Sequence, residues 1–208
     1  MKKNNNKGFT LIELLAVVVI MGILSVVAVS AVNRIMENTR KDTFIDTVKQ
    51  YTNGAKNMWA ADNLQCDVTE SESSHSYLSS AVPDGTYYVK VDSSQDGTND
   101  VPQLLDDGGK SSWGKRHMKG YIIIDVKPKT STHGSGGSST TTTTREVKYY
   151  PIIVDGVHGV NLDGSYNPLT PPAAKEGSEL VRGKLTMSGA AYDKVAAAPA
   201  GATLCYEV

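Results

Sequence analysis

The chain has 208 residues, with 21 Lys and Arg against 22 Asp and Glu for a formal charge of −1, and two cysteines. That length holds one core beside a long apolar segment, and hardly two. The near-neutral balance excludes a strongly basic nucleic-acid surface, and Cys66 and Cys205 exclude a paired-cysteine zinc site or a CxxC motif.

The chain opens with Lys2, Lys3 and Lys7 around three asparagines, followed by an apolar run at 8–32 in which 14–32 carries no charge. As a helix, that charge-free run is about 28 Å long, close to the hydrocarbon thickness of a bilayer. The basic residues before it belong on the cytoplasmic side, so the predicted topology is N-in, C-out. One residue conflicts with a plain anchor. Glu13 lies inside the apolar run, where a carboxylate costs on the order of 2.5 kcal/mol or more unless something pairs with it. A cut between Gly8 and Phe9 would create the counter-charge, because the new α-amino group of Phe9 in a neighbouring copy could lie beside Glu13.

These residues resemble the type IV pilins and their relatives, the type II secretion pseudopilins. The match comprises the short basic leader ending in Gly8, then Phe9, Thr10, Leu11, Ile12, Glu13, Leu14 and Leu15, and an apolar stretch carrying Gly22. The resemblance implies that a membrane aspartyl protease, the prepilin peptidase, removes residues 1–8 and methylates the amine of Phe9. It implies also that mature subunits leave the membrane and polymerise with their apolar helices bundled at the centre of a filament. The chain departs from many members at Ser30, where they carry a proline. Two other readings compete. A secretory signal would be cleaved near Ala28, Val29, Ser30 and Ala31, and a one-pass anchor would hold an outer domain; both leave Glu13 unexplained.

Residues 33–61 contain no proline, and Ile35, Ile45, Val48, Tyr51 or Thr52, Ala55 and Met58 or Trp59 recur at helical spacing. One helix is therefore predicted over 9–61, with 9–32 as membrane or filament core and 33–61 amphipathic against a head. At about 80 Å it is too long to lie within one small head, so its first half is expected to protrude. The head is 62–208. Residues 62–83 read as an irregular connection with one short helix. Residues 86–91, 121–126 and 146–154 read as strands, with Pro151 favouring an edge or a bulge. Residues 129–145, rich in Gly, Ser and Thr, read as a long flexible loop. Turns at Asp155-Gly156 and Asp163-Gly164 and prolines at 168, 171 and 172 precede two last strands, 184–187 and 203–208. The predicted class is α+β: a long N-terminal helix with an antiparallel β-sheet head, the pilin fold.

No catalytic constellation is visible. His75, His117, His133 and His158 are scattered, and no serine has a nucleophile-elbow context. No cofactor is expected. Asp92, Ser94, Asp96 and Asp100 surround Gly97 like the opening of a calcium loop, but Gln103 stands where the closing glutamate belongs, so the stretch reads as a turn. Tyr87-Tyr88 and Tyr149-Tyr150 point to opposite faces of their strands, which predicts one exposed tyrosine in each pair. Cys66 and Cys205 lie beyond the membrane segment in an oxidising exterior and are predicted to form a disulfide. That long span differs from the resembled family, whose head disulfide commonly joins two cysteines near the C-terminus.

The sequence reading is thus a polymer-forming subunit of a type IV pilus with no reaction of its own. It sits in the cytoplasmic membrane before assembly and in an extracellular filament afterwards. A type II secretion or competence pseudopilin is the alternative of the same architecture, and a membrane-anchored surface binding module the alternative of another class. The implied partners are further copies of the chain, minor pilins, the prepilin peptidase and the membrane platform of the assembly machinery. The sequence names no host or surface receptor.

Overall fold

A computed structural model describes residues 8–70, 73–94, 101–105, 109–114, 116–135, 138–187 and 189–208. The chain divides into two compact units, Met1–Arg40 and Lys41–Val208. The helix α1, Leu11–Ala60, contributes to both. Its bounds lie within two residues of the predicted 9–61. It passes through Ser30 as regular helix, and the Ser30 hydroxyl donates to the Val26 carbonyl at 3.2 Å.

In the first unit every side chain from Gly8 to Met36 is exposed, including Leu15, Ile20, Leu24 and Ile35. In the second unit α1 buries Phe44, Ile45, Val48, Tyr51, Thr52, Ala55 and Trp59, which recur at steps of one, three or four residues along one face. The predicted stripe began too early, at the exposed Ile35, and omitted Phe44, the first residue of the buried face. Gly54 has a packing role beyond its weak helix propensity. A Cβ there would lie 2.2 Å from the Leu104 carbonyl oxygen, so only glycine admits that backbone contact.

The head is an eight-stranded sheet in the order β2-β1-β8-β3-β4-β5-β6-β7. In chain order its strands are β1 Leu64–Glu70, β2 Ser73–Leu78, β3 Gly85–Asp92, β4 Lys119–Ser135, β5 Ser138–Val154, β6 Gly159–Val160, β7 Leu185–Thr186 and β8 Thr203–Glu207. All neighbours are antiparallel except β3 and β8, which run parallel with Tyr87 opposite Thr203. The predicted strands at 86–91, 121–126 and 146–154 fall within β3, β4 and β5, 203–208 exceeds β8 by one residue, and 184–187 shrinks to the two residues of β7.

Two segments differ from their sequence reading. Residues 64–70 and 73–78 form the antiparallel pair β1–β2 instead of an irregular connection with a helix. Their polar composition hides the ladder, because the strands sit at the sheet's end with Gln65, Asp67 and Ser76 on a wet surface. The expected flexible loop 129–145 is also largely strand: β4 and β5 pair residue by residue from Lys119 opposite Val154 out to Ser135 opposite Ser138. Threonines at 140–144 are β-branched and suit an extended backbone, a preference that outweighs the Gly/Ser composition in this stretch.

Burial follows the two-residue period of the strands. Tyr87, Val89, Ile122, Ile124, Val126, Tyr149 and Ile153 join the α1 residues in one core. Tyr88, Tyr121, Ile123, Tyr150, Ile152 and Val154 face the other way, where Leu162, Ala174, Ala190 and Val195 cover them in a second core. This overturns the expectation of one exposed tyrosine per pair, since Tyr87, Tyr88, Tyr149 and Tyr150 are all buried. A sheet covered on both faces reads as continuous apolar runs, as at 121–124. Pro151 stands opposite Ile122, on a stretch of β5 whose second flank meets β6 only at Val154. On that flank the buried Asn161 side chain donates to the Pro151 and Lys175 carbonyls, at 2.8 Å each, and accepts from the Lys175 N–H.

Candidate processing and assembly site

Gly8 and Phe9 precede the helix and are exposed, Phe9 at 87% of its surface. Among the described residues, a Cβ on Gly8 would meet nothing within 4 Å beyond its chain neighbours. Two residues on, Thr10 and Glu13 close a reciprocal pair of contacts. The Thr10 N–H and hydroxyl both donate to Glu13 Oε2 at 2.9 Å, and the Glu13 N–H donates back to the Thr10 hydroxyl oxygen at 3.3 Å. This is a capping box, which satisfies two backbone donors that a helix start leaves unpaired. It also puts a carboxylate at the positive end of the helix dipole. The sequence reading missed it, although Thr10-Leu11-Ile12-Glu13 carries the T-x-x-E signal in plain form. Glu13 therefore has a partner in its own chain, but a neutral one. Thr10 brings the carboxylate hydrogen bonds but no counter-charge.

Cys66 of β1 stands opposite Cys205 of β8 in the ladder, and the two form a disulfide with Cα atoms 4.2 Å apart. Both are fully buried. The bond ties the strand that follows α1 to the last strand of the chain. Next to it the Val208 N–H donates to the Asn63 carbonyl at 3.1 Å, so the terminus is held by backbone as well.

Of the four residues singled out as a calcium-like loop, Asp96 and Asp100 lie outside the described residues. Asp92 Oδ1 accepts from the Ser94 N–H and hydroxyl, and Asp92 Oδ2 pairs with Lys119 Nζ at 2.9 Å. Burial raises the Asp92 carboxyl, but these bonds outweigh it and hold the group below the usual carboxylate range. Its two oxygens serve a turn and an ion pair.

One buried polar cluster was not legible in the sequence because its members come from distant segments. Asp155 is fully buried and accepts from the Ser111 hydroxyl, from the Val157 and His158 N–H groups, and faces His158 Nδ1 at 3.0 Å. The His158 ring stacks on Trp113 with centroids 3.7 Å apart, and Trp113 in turn meets Phe44 of α1 at 5.9 Å. Burial pushes the Asp155 carboxyl up, and its hydrogen bonds more than reverse this, so it lies below the usual range. The cluster contains a serine, an acid and a histidine, but in the wrong order for nucleophilic catalysis. The serine donates to the carboxylate and not to the imidazole, so the serine–histidine contact of a catalytic triad is not made. Its role is to fasten the segment around Ser111 to the Asp155 turn.

The fold is a long N-terminal helix followed by a mostly antiparallel sheet head, a pilin-like α+β architecture. Residues 3–29 match the family described as the prokaryotic N-terminal methylation motif. The chain thus carries the signature of type IV pilins and pseudopilins. Neither the curated proteins nor the solved structures include a match to it.

Proposed function

We propose that the chain is a structural subunit of a type IV pilus, made as a precursor, cut between Gly8 and Phe9 by a prepilin peptidase and methylated on the Phe9 amine. The observation that carries this reading is the methylation motif at residues 3–29, whose part from Leu11 on lies on a helix long and apolar enough to cross a membrane. Before assembly, residues 9–32 hold the subunit in the cytoplasmic membrane with the three leader lysines inside and the head outside. Removing the leader takes the chain to 18 basic against 22 acidic residues, or −4, and exposes one new cation at Phe9.

That cation gives Glu13 the counter-charge it lacks. The capping box occupies Oε2, and among the described residues no bond reaches Oε1. The second oxygen is available to the Phe9 amine of a neighbouring subunit, a charge-assisted contact that offsets the cost of a carboxylate in an apolar surrounding. Repeated from copy to copy, it sets the axial register of a bundle whose apolar side chains cover one another. Electron microscopy of cells expressing the chain with its assembly machinery, using an antibody against the head, tests this. Labelled fibres are expected. Label confined to the cell envelope, with no fibre, would contradict the reading.

A further inference from the structure

The second layer of the head does not cover its sheet face completely. Beside the 3-10 turn Tyr192–Val195 a cleft of about 600 Å³ stays open, a volume in the range of small-molecule sites. Two neighbouring strands line it. Tyr88, Lys90 and Asp92 alternate onto one face of β3, and Tyr121 and Lys119 of β4 stand opposite Lys90 and Asp92. The Tyr192 ring and the short, exposed side chains of Ala196 to Ala198 complete the walls. The Tyr192 hydroxyl donates to the His117 and Asp155 carbonyls, at 2.8 and 3.0 Å, which holds that ring in place.

Two buried hydroxyls lack a partner in this cleft. Tyr88 and Tyr121 are only 7% and 4% exposed and meet edge to face, with ring centroids 6.1 Å apart. Among the described residues neither hydroxyl has a hydrogen-bond partner in the protein, and neither is sealed from solvent as the Ser112 hydroxyl is. Both therefore open on the cleft. Tyrosines buried to this degree ordinarily find a hydrogen-bond partner, so the pair points to a ligand that supplies one. Burial, with Tyr88 close by, pushes the Tyr121 phenol up to about 12, which keeps it an O–H able to donate as well as accept.

Charge narrows the choice of ligand. Lys90 and Lys119 face Asp92 and Asp193, and Lys119 Nζ already pairs with Asp92 at 2.9 Å, so the cleft offers no net charge to an ion. The Asp193 carboxylate is exposed and, among the described residues, has no hydrogen-bond or ion-pair partner. It accepts only, whereas the two phenols donate and accept. A neutral ligand with several hydroxyls on a small carbon frame answers all of these groups at once. We infer that this cleft binds a neutral saccharide, with the Tyr88 and Tyr121 hydroxyls and the Asp193 carboxylate holding its hydroxyl groups and the Tyr192 ring packed on its C–H face. The site lies within the head, so it stands whether or not the chain polymerises.

The test is saturation-transfer NMR of the full chain in a polyoxyethylene detergent, which brings no sugar head group. The probes are glucose, galactose, N-acetylglucosamine, lactose and maltose, with inorganic phosphate, acetate and spermidine as charged competitors. The expected result is transfer to at least one saccharide, which none of the charged competitors displaces. Tyr121→Phe removes a single hydroxyl and should weaken that binding about fivefold. Ala197→Trp fills the cleft from an exposed position and should abolish binding while the head's melting temperature stays unchanged. Tyr206→Phe, whose hydroxyl lies on Asp67 outside the cleft, should bind as the unaltered chain does. Transfer to none of the five sugars, displacement of the sugar by a charged competitor, or an affinity that either Tyr121→Phe or Ala197→Trp leaves unchanged would overturn the proposal.

Discussion

The apolar run of α1 at 14–32 and the apolar run of β4 at 121–124 are built from the same kinds of side chain and meet opposite fates. Ile122 and Ile124 are fully buried under α1, and Ile123 lies under the second layer, while Leu15, Ile20 and Leu24 are about 60% exposed. The difference is one of partners. β4 finds both of its covers within the chain, and residues 14–32 find none among the described residues. An exposed apolar surface of that length is stable only in lipid or against other copies of itself. Burial in the head is thus a property of one molecule, and the first helical segment needs lipid or other copies to be covered.

Substitutions can break this contrast, and the largest effect is expected at Glu13. Glu13→Val should insert and be cleaved as before, because removing the charge eases insertion, yet fibres should be absent by electron microscopy. Fibres of normal length would mean that the carboxylate is dispensable for docking. In the head, replacing Cys66 and Cys205 by serine opens a link between residues 139 apart in sequence, for which the chain-entropy argument gives about 5 kcal/mol. Denaturant unfolding with and without reductant reads this, and an unchanged midpoint would contradict it. Phe44→Ala should cost about 3 kcal/mol by removing a fully buried ring between α1 and Trp113. Leu15→Ala, the matching truncation in the exposed run, should leave the head's unfolding midpoint where it was.

The smallest effect concerns pH. The folded Asp155 carboxyl lies below its ordinary value, so its contribution is complete above the unfolded carboxyl near 4 and is lost as pH falls below about 4 through the folded one. Asp155→Asn should flatten that acid limb of the head's stability curve. A limb of unchanged steepness would move the effect to other carboxylates.

The sequence was most legible where one kind of residue answers to one physical demand. A charge-free run of bilayer length, a stripe at helical spacing from Ile45 to Trp59, and apolar strands at 86–91 and 121–126 each admit a single local reading. The arm at 129–145 was obscured because Gly and Ser suggest a loop and Thr a strand, and only the partner strand decides between them. The buried tyrosine pairs were misread because alternation says which residues share a face, not whether the second face is covered. Asp155, His158, Ser111 and Trp113 belong to separate segments, so their cluster exists only once the chain has folded. The capping box at Thr10 and Glu13 is legible as T-x-x-E, because both partners lie within one helical turn and need no folded head to meet.

The central claim is that the chain matures at Phe9 and that the partner of its apolar segment is another copy of itself. Intact-mass measurement of the protein recovered from cells tests the first and necessary half most directly. The expected mass is that of residues 9–208 with one added methyl group and one disulfide. A mature N-terminus near Ser30 or Ala31, or a chain that keeps residues 1–8, would contradict the account.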